Sequence, residues 1–350
     1  MKSNYLLISI LAILFFSCSK SEDATPTGKY SSGVFISNEG QFQTGTGTVS
    51  FFNRESKTVE NDIFQTVNSR PLGNILQSIE IHNNKAYLVV NNAKKVEVVQ
   101  AWDFKEVGTI QGLEMPRYFI GIDDKKGYVS QWGAGGVDGS VKVIDLQTNT
   151  VIKTIQVGKG AEKMLKVDNK VFVSCNGGFS SENRVFVIDT QKDEVSATIS
   201  TPENPNGLAL DANNKIWVTC NGRSQWNGTA SVTVSPAQLI RINPNTNQIE
   251  QSFAFNLHGL SNLAINAGKN VLFYSYNRRV FSQNINSGLS ANPLINRSFY
   301  GLGYDATTDM LYAAVAGNFS TNSKFIRFGV SGVAIDSMNV GIAPNGFYFK

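Results

Sequence analysis

Hydrophobic and polar residues alternate along this chain in short bursts, and one phrase of bursts keeps returning. Its clearest copy runs from Asn204 to Gly222. A turn (Asn204 to Gly207) leads into an apolar run (Leu208 to Leu210). A second turn (Asp211 to Asn214) and a strand-like run (Ile216 to Thr219) follow, before a polar loop opens at Asn221. The strand-like run recurs as VFISN at Val34, YLVVN at Tyr87, YVSQW at Tyr128, FVSCN at Phe172, WVTCN at Trp217, FYSYN at Phe273 and YAAVA at Tyr312. The steps between copies are 53, 41, 44, 45, 56 and 39 residues. Each copy continues with another alternating run, such as KVEVVQ from Lys95, RVFVID from Arg184 or KFIRFGV from Lys324. A tight polar turn such as DLQTNT then leads to a fourth run, for instance VIKTIQV from Val151. β-Branched and aromatic residues alternating with polar ones mark half-buried strands, and Asn, Asp and Gly between them suit hairpins.

Seven copies at this period predict the blades of a propeller rather than helical repeats. The first copy starts at its second strand, Gly33 to Glu39, and lacks an innermost one. The last segment, NGFYFK from Asn345, carries that missing strand's pattern. The sequence therefore predicts an all-β, seven-bladed β-propeller over residues 30–350, closed by the C-terminal strand completing the first blade. Closure of this kind removes an open sheet edge.

Composition changes the picture mainly at the N-terminus. The chain has 350 residues, 17% of them charged, with a net charge of +4. A toroid reaches this length as one domain because each blade packs only on its neighbours. The basic residues are scattered pairs such as Lys94-Lys95, not the coherent stripe a nucleic-acid surface needs, so no nucleic-acid partner is expected. Residues 1–17 read as a signal peptide: Lys2 supplies positive charge, and Tyr5 to Phe16 form an apolar run too short to span a bilayer. Cys18 follows the small Ser17, in an arrangement similar to a bacterial lipoprotein box, with Phe15 where Leu is usual. Residues 18–29 are a polar tether, and Glu22-Asp23 is similar to the export signal of Bacteroidetes surface lipoproteins. The expectation is a protein lipidated at Cys18 and anchored to the outer membrane at the cell surface. Cys175 and Cys220 occupy matching places in successive copies. They read as buried thiols, since such places on adjacent blades sit too far apart for a disulfide.

Little in the chain points to catalysis. There are two histidines, His82 and His258. His82 follows an innermost strand and is expected in a turn away from the longer loops. His258, in NLHGLSN, reads as a solvated loop residue unless it faces the central opening as a general base. The chain has no GxSxG, HExxH, Walker or dinucleotide-binding context, and GAGGVDG from Gly133 joins two strands instead of opening a helix. No metal and no cofactor are expected. The long loops stand out instead. Those entering the innermost strands and those joining second to third strands share one face. They are rich in Asn, Gly and Ser, with Phe42, Trp132, Phe179, Trp226 and Phe319 among them. Amide-rich loops with a few aromatics, held on a rigid scaffold, suit recognition of a bulky polar ligand. Arg117, Tyr118, Glu162, Asn206, Asn262, Tyr300 and Asn345 are expected at the mouth, with Trp132, Phe179 and Trp226 stacking above it.

The phrases NPNGLALD, KIWVTCN, RVFVIDT and VIKTIQVGKG resemble the repeats of YncE-like, YVTN-type propellers. The opening FISNEGQF after a lipoprotein signal is similar to the BtuG group of Bacteroidetes surface lipoproteins. That resemblance implies a seven-bladed, non-enzymatic protein that captures a corrinoid such as cobalamin and sits on an outer-membrane transporter. The ring also suits two other roles: a lyase, which would need a histidine and a carboxylate converging on the opening, and a protein-interaction scaffold at the cell surface.

Overall fold

The computed structural model describes residues 27–350. The signal sequence, Cys18 and most of the tether lie outside the described residues. Seven antiparallel sheets surround an axis, and the innermost strand of each touches the innermost strands of its neighbours. These innermost strands are Leu76–His82, Pro116–Gly121, Ala161–Val167, Pro205–Leu210, Ser261–Ile265, Gly301–Asp305 and Pro344–Phe349. The last belongs to the first blade. Val34 pairs with Phe349, Phe35 with Tyr348 and Ile36 with Phe347, so the two ends of the domain share one sheet. Phe347 is buried there, with ring edges against Tyr312 at 5.6 Å and Phe325 at 5.8 Å.

The burial pattern explains why the second strand of each phrase was the easiest to read. Val34–Asn38 and Ile216–Cys220 are buried at every position, because blades cover both of their faces. The outermost strands alternate instead: in Glu194–Ser200 only Ile199 is fully buried. The core is a series of separate apolar layers between neighbouring blades. Tyr87 stacked on Phe119 at 3.8 Å, between the second and third blades, is typical. Burying a side chain of that size stabilises by roughly 2–3 kcal/mol. Cys175 and Cys220 lie in these layers as free thiols, and burial pushes both well above the usual thiol range.

Three elements depart from the simple repeat. A short helix, Ile63–Asn68, links the first two blades and buries Ile63 and Phe64. The long loop of the fifth blade folds into a ribbon, Arg223–Trp226 against Ser231–Ser235. The sixth blade has three strands. Its fourth is reduced to one bridge, where the Val280 N–H donates to the Ile295 carbonyl at 3.0 Å. Pro293 lies beside that bridge and offers no backbone donor to extend it.

Both ends of the described chain lie on the face of short turns. The Tyr30 N–H donates to the carbonyl of Trp102 in one such turn, and the Lys350 N–H donates to the Gly33 carbonyl. The long loops are on the opposite face.

Candidate ligand-binding site

The axis of the ring is open toward the long loops and encloses a cavity of about 750 Å³. A repeated irregularity shapes its wall. In six of the seven innermost strands, pairing to the second strand slips near the mouth. The residues passed over include Gln77, Arg117, Glu162, Asn206, Asn262 and Asn345, and all six line the cavity. A bulge re-aims the extra side chain, so this slip delivers polar groups to the axis that a regular strand would turn into a neighbouring blade. Just before five of these strands the chain takes a left-handed conformation, at Ile75, Met115, Gly160, Asn204 and Ala343. A β-branched residue such as Ile75 at φ 61° is strained, and strain of this kind persists only where surrounding structure holds it.

Two polar clusters face each other across the mouth. In the first, Glu162 accepts two hydrogen bonds from Arg117, at 2.9 and 2.8 Å, and a third from the Trp132 indole at 2.8 Å. The guanidinium also lies 4.1 Å from the Trp132 ring centroid, and Phe179 meets that indole edge-on at 5.5 Å. The Phe179 N–H donates to the Gly136 carbonyl at 3.0 Å, locking the two loops that carry the aromatic pair. Burial works against the charge on Arg117, but Glu162 holds its pKa above the ordinary value. In the second cluster, Glu39 accepts from the Tyr300 hydroxyl at 3.0 Å and from the Asn345 amide at 3.1 Å. Burial raises Glu39 above the usual carboxylate range, and those two hydrogen bonds partly offset the rise.

Of the ten residues expected at the opening, nine lie on the cavity wall: Arg117, Tyr118, Trp132, Glu162, Phe179, Asn206, Asn262, Tyr300 and Asn345. Trp226 does not. It sits on the ribbon of the fifth blade, 66% exposed, because that loop pairs with itself and rises clear of the axis. The asparagines also behave differently from free recognition groups. Asn206 donates to the Leu260 carbonyl, Asn262 to that of Phe299, and Asn345 to those of Leu76 and Gln77. Each amide is spent on stitching its blade to the next. His258 is off the wall, its Nδ1 sharing a hydrogen bond with Thr233 on the ribbon. His82 is packed beside Gly121 at the far end of its strand, hydrogen-bonded to the Asp123 carbonyl.

The wall residues that sequence reasoning did not place there include Glu39, Gln77, Glu80 and Lys163. Three follow from the strand slips and the alternation below them, which no local motif announces. Glu39 lay in plain view after FISN, in a loop noted only for its aromatic. Burial pushes Glu80 up to about 7 and lowers Lys163 below its ordinary value. Among the described residues no group of three or more His, Cys, Asp or Glu could hold a metal ion. No helix there is long and apolar enough to cross a membrane.

Solved structures share this architecture. A quinonprotein alcohol dehydrogenase-like protein from Bacteroides thetaiotaomicron VPI-5482 matches with a TM-score of 0.67 at 14% identity, over 91% of this chain and 78% of that one. Hydrazine synthase from Kuenenia stuttgartiensis matches with a TM-score of 0.55 at 14% identity, over 74% of this chain and 84% of that one. Both likenesses concern the fold alone. No curated protein sequence matches the chain. A family model does match, over residues 32–349, and the chain belongs to that family, the domain of unknown function DUF5074.

Proposed function

We propose that this propeller is a non-enzymatic capture protein that receives a bulky polar ligand in its axial cavity, and that the ligand is a corrinoid. The observation that carries the proposal is the cavity itself. Its volume of about 750 Å³ lies within the roughly 300–1,000 Å³ typical of small-molecule sites. Its wall combines Trp132, Tyr118 and Tyr300 with the bonded carboxylates of Glu39 and Glu162. Above it, Phe42 and Phe179 on the wall and Phe319 near Tyr300 are 64%, 72% and 45% exposed. Exposed aromatics around a concave opening suit a flat, partly apolar macrocycle larger than the cavity alone would hold. The corrinoid comes from the resemblance of the repeats to the BtuG group. The non-enzymatic reading leans on the wall: no histidine lies on it, and of its three carboxylates Glu39 and Glu162 are hydrogen-bonded to other side chains, leaving only Glu80 without such a partner.

In this reading Cys18 carries the lipid that holds the protein on the outer membrane at the cell surface, and an outer-membrane transporter receives the ligand. The ribbon fits the partner's side of that exchange, since Trp226, Val232 and Val234 are exposed on it. Calorimetry with cyanocobalamin, alongside haem, glycans and siderophores, tests the proposal. One-to-one binding of cyanocobalamin that is weakened in Trp132→Ala is the expected result. Failure of every corrinoid to bind would remove that ligand.

A further inference from the structure

The cavity holds two ionisable groups that no other side chain of the described residues answers with an ion pair or hydrogen bond. Of its lining carboxylates, Glu162 is bonded to Arg117 and Trp132, and Glu39 to Tyr300 and Asn345. Glu80 lines the cavity with no ion pair or hydrogen bond from another side chain of the described residues. Of the lining cations, Arg117 is consumed by Glu162. Lys163 has only the face of Tyr118, its Nζ 5.8 Å from the ring centroid, with no carboxylate within ion-pair distance among the described residues.

The surroundings of Glu80 make its solitude costly. It pairs across its blade with Tyr87, the level at which Ile120 pairs with Tyr128 in the next blade. One residue nearer the mouth stand Met164, Leu208 and Leu302, opposite Val173, Val218 and Ala313. All of these side chains except the strand partners line the cavity, as does Tyr348 opposite Phe35, so Glu80 is the carboxylate of a tier otherwise made of aliphatic side chains and a tyrosine. The titratable and charged groups on the elements packed around it are Lys85 and Tyr87 on its pairing strand, Arg117 and Tyr118 on the next blade, Glu162, Lys163 and Lys166 on the one after, and Tyr348 and Lys350 at the closing strand, with His82 on its own strand. Burial raises the three tyrosines, Tyr87 and Tyr348 to about 12, so they stay neutral and supply ring faces and hydroxyls rather than charge. The Ile81 backbone N–H is the one hydrogen-bond donor that lowers the Glu80 carboxyl, and a half-satisfied buried carboxylate of this kind is destabilising unless something that binds there completes its shell.

We infer that the cavity is a subsite for a dipolar ligand, one carrying a cationic nitrogen that Glu80 receives and an anionic oxygen group that Lys163 receives. The inference rests on the reading of the cavity as a capture site. It adds the charge pattern of what is captured: a purely anionic molecule meets Glu80 unpaired, and a purely cationic one meets Lys163 unpaired. Tyr118, between the two groups, offers a flat wall to the carbon skeleton that separates them.

The test uses ω-amino carboxylates of increasing length as probes, against alkylamines and alkanoates of matching length. Binding is followed by the carbon resonance of the Glu80 carboxyl and by calorimetry, with Glu80→Gln and Lys163→Met beside the wild type. One member of the dipolar series is expected to bind about tenfold more tightly than either matched single-charge probe. Glu80→Gln reduces it to the affinity of the alkanoate, and Lys163→Met to that of the alkylamine. Equal affinity of all three probe classes in the wild type, or no loss in either variant, overturns the inference. Cyanocobalamin run in parallel separates the two readings. If it does not bind while a dipolar probe still does, the corrinoid falls and the subsite stands. If it binds equally well to the wild type and both variants while no dipolar probe binds more tightly than its single-charge counterparts, capture stands and the subsite falls.

Discussion

Replacing Glu162 by Ala isolates the group on which the mouth is built. The Arg117–Glu162 pair is nearly enclosed, its side chains 15% and 7% exposed. Removing the acid leaves a guanidinium with its carboxylate partner gone, and it also orphans the Trp132 indole N–H. Breaking a buried pair from one side costs about 3–5 kcal/mol, and the residual exposure of Arg117 places this case at the lower end, about 3 kcal/mol. The expected entropy of unfolding, about 2.1 cal/mol/K per residue over roughly 320 residues, makes that a fall in Tm of about 4–5 °C. The double variant Arg117→Met with Glu162→Met removes both charges together and is expected to recover most of the loss. Scanning calorimetry of Arg117→Met, Glu162→Met and the double closes the cycle. A Glu162→Ala shift below about 1 °C, or a double variant whose loss equals the sum of the singles, would refute the claim that the pair is a coupled, desolvated unit.

Other outcomes follow from the same geometry. Burial pushes the Glu80 carboxyl up to about 7, above its unfolded value near 4.3, so the penalty on folding builds as pH rises from about 4 to about 7, is complete above that, and is absent below pH 4. Glu80→Gln is therefore expected to unfold at higher urea than wild type at about pH 8, by roughly 1–3 kcal/mol, with the gap gone at pH 4. Glu97 acts in the opposite direction: burial would raise it, but Arg70, Lys95 and Thr109 hold it below the usual range. Arg70→Leu should thus destabilise most above about pH 4.5, the difference shrinking as Glu97 protonates at lower pH. Deleting residues 345–350 removes the strand that pairs with Val34–Asn38, and soluble monomer by size exclusion should give way to aggregate. Trp132→Ala should weaken a captured ligand by about tenfold or more, while Trp226→Ala, off the wall, changes affinity less than about twofold in the same calorimetric titration.

The fold was legible because its signal is repeated: an all-buried second strand next to an alternating third one, seven times, survives noise in any one copy. The mouth was legible to the extent that blade topology gathers entry loops, which is why Arg117, Glu162 and Asn345 could be placed together from residues far apart in sequence. What escaped was side-chain direction. The slips that turn Gln77 and Lys163 inward depend on how two strands settle against each other, and period-two alternation gives no hint of them. Trp226 was misplaced for a related reason. SVTVS from Ser231 alternates like a strand, but read as part of a loop it hid a ribbon that lifts the tryptophan away. The helix at Ile63–Asn68 is too short for a periodic signature.

The shared sheet of the first and last strands gathers both ends of the described chain at one pole of the ring. Residues 27–33 join the ring at its base, beside Trp102 and Lys350, and the mouth lies at the other pole. The start of the described chain and the opening of the cavity therefore occupy opposite poles, and nothing that joins the chain at its foot crowds the rim.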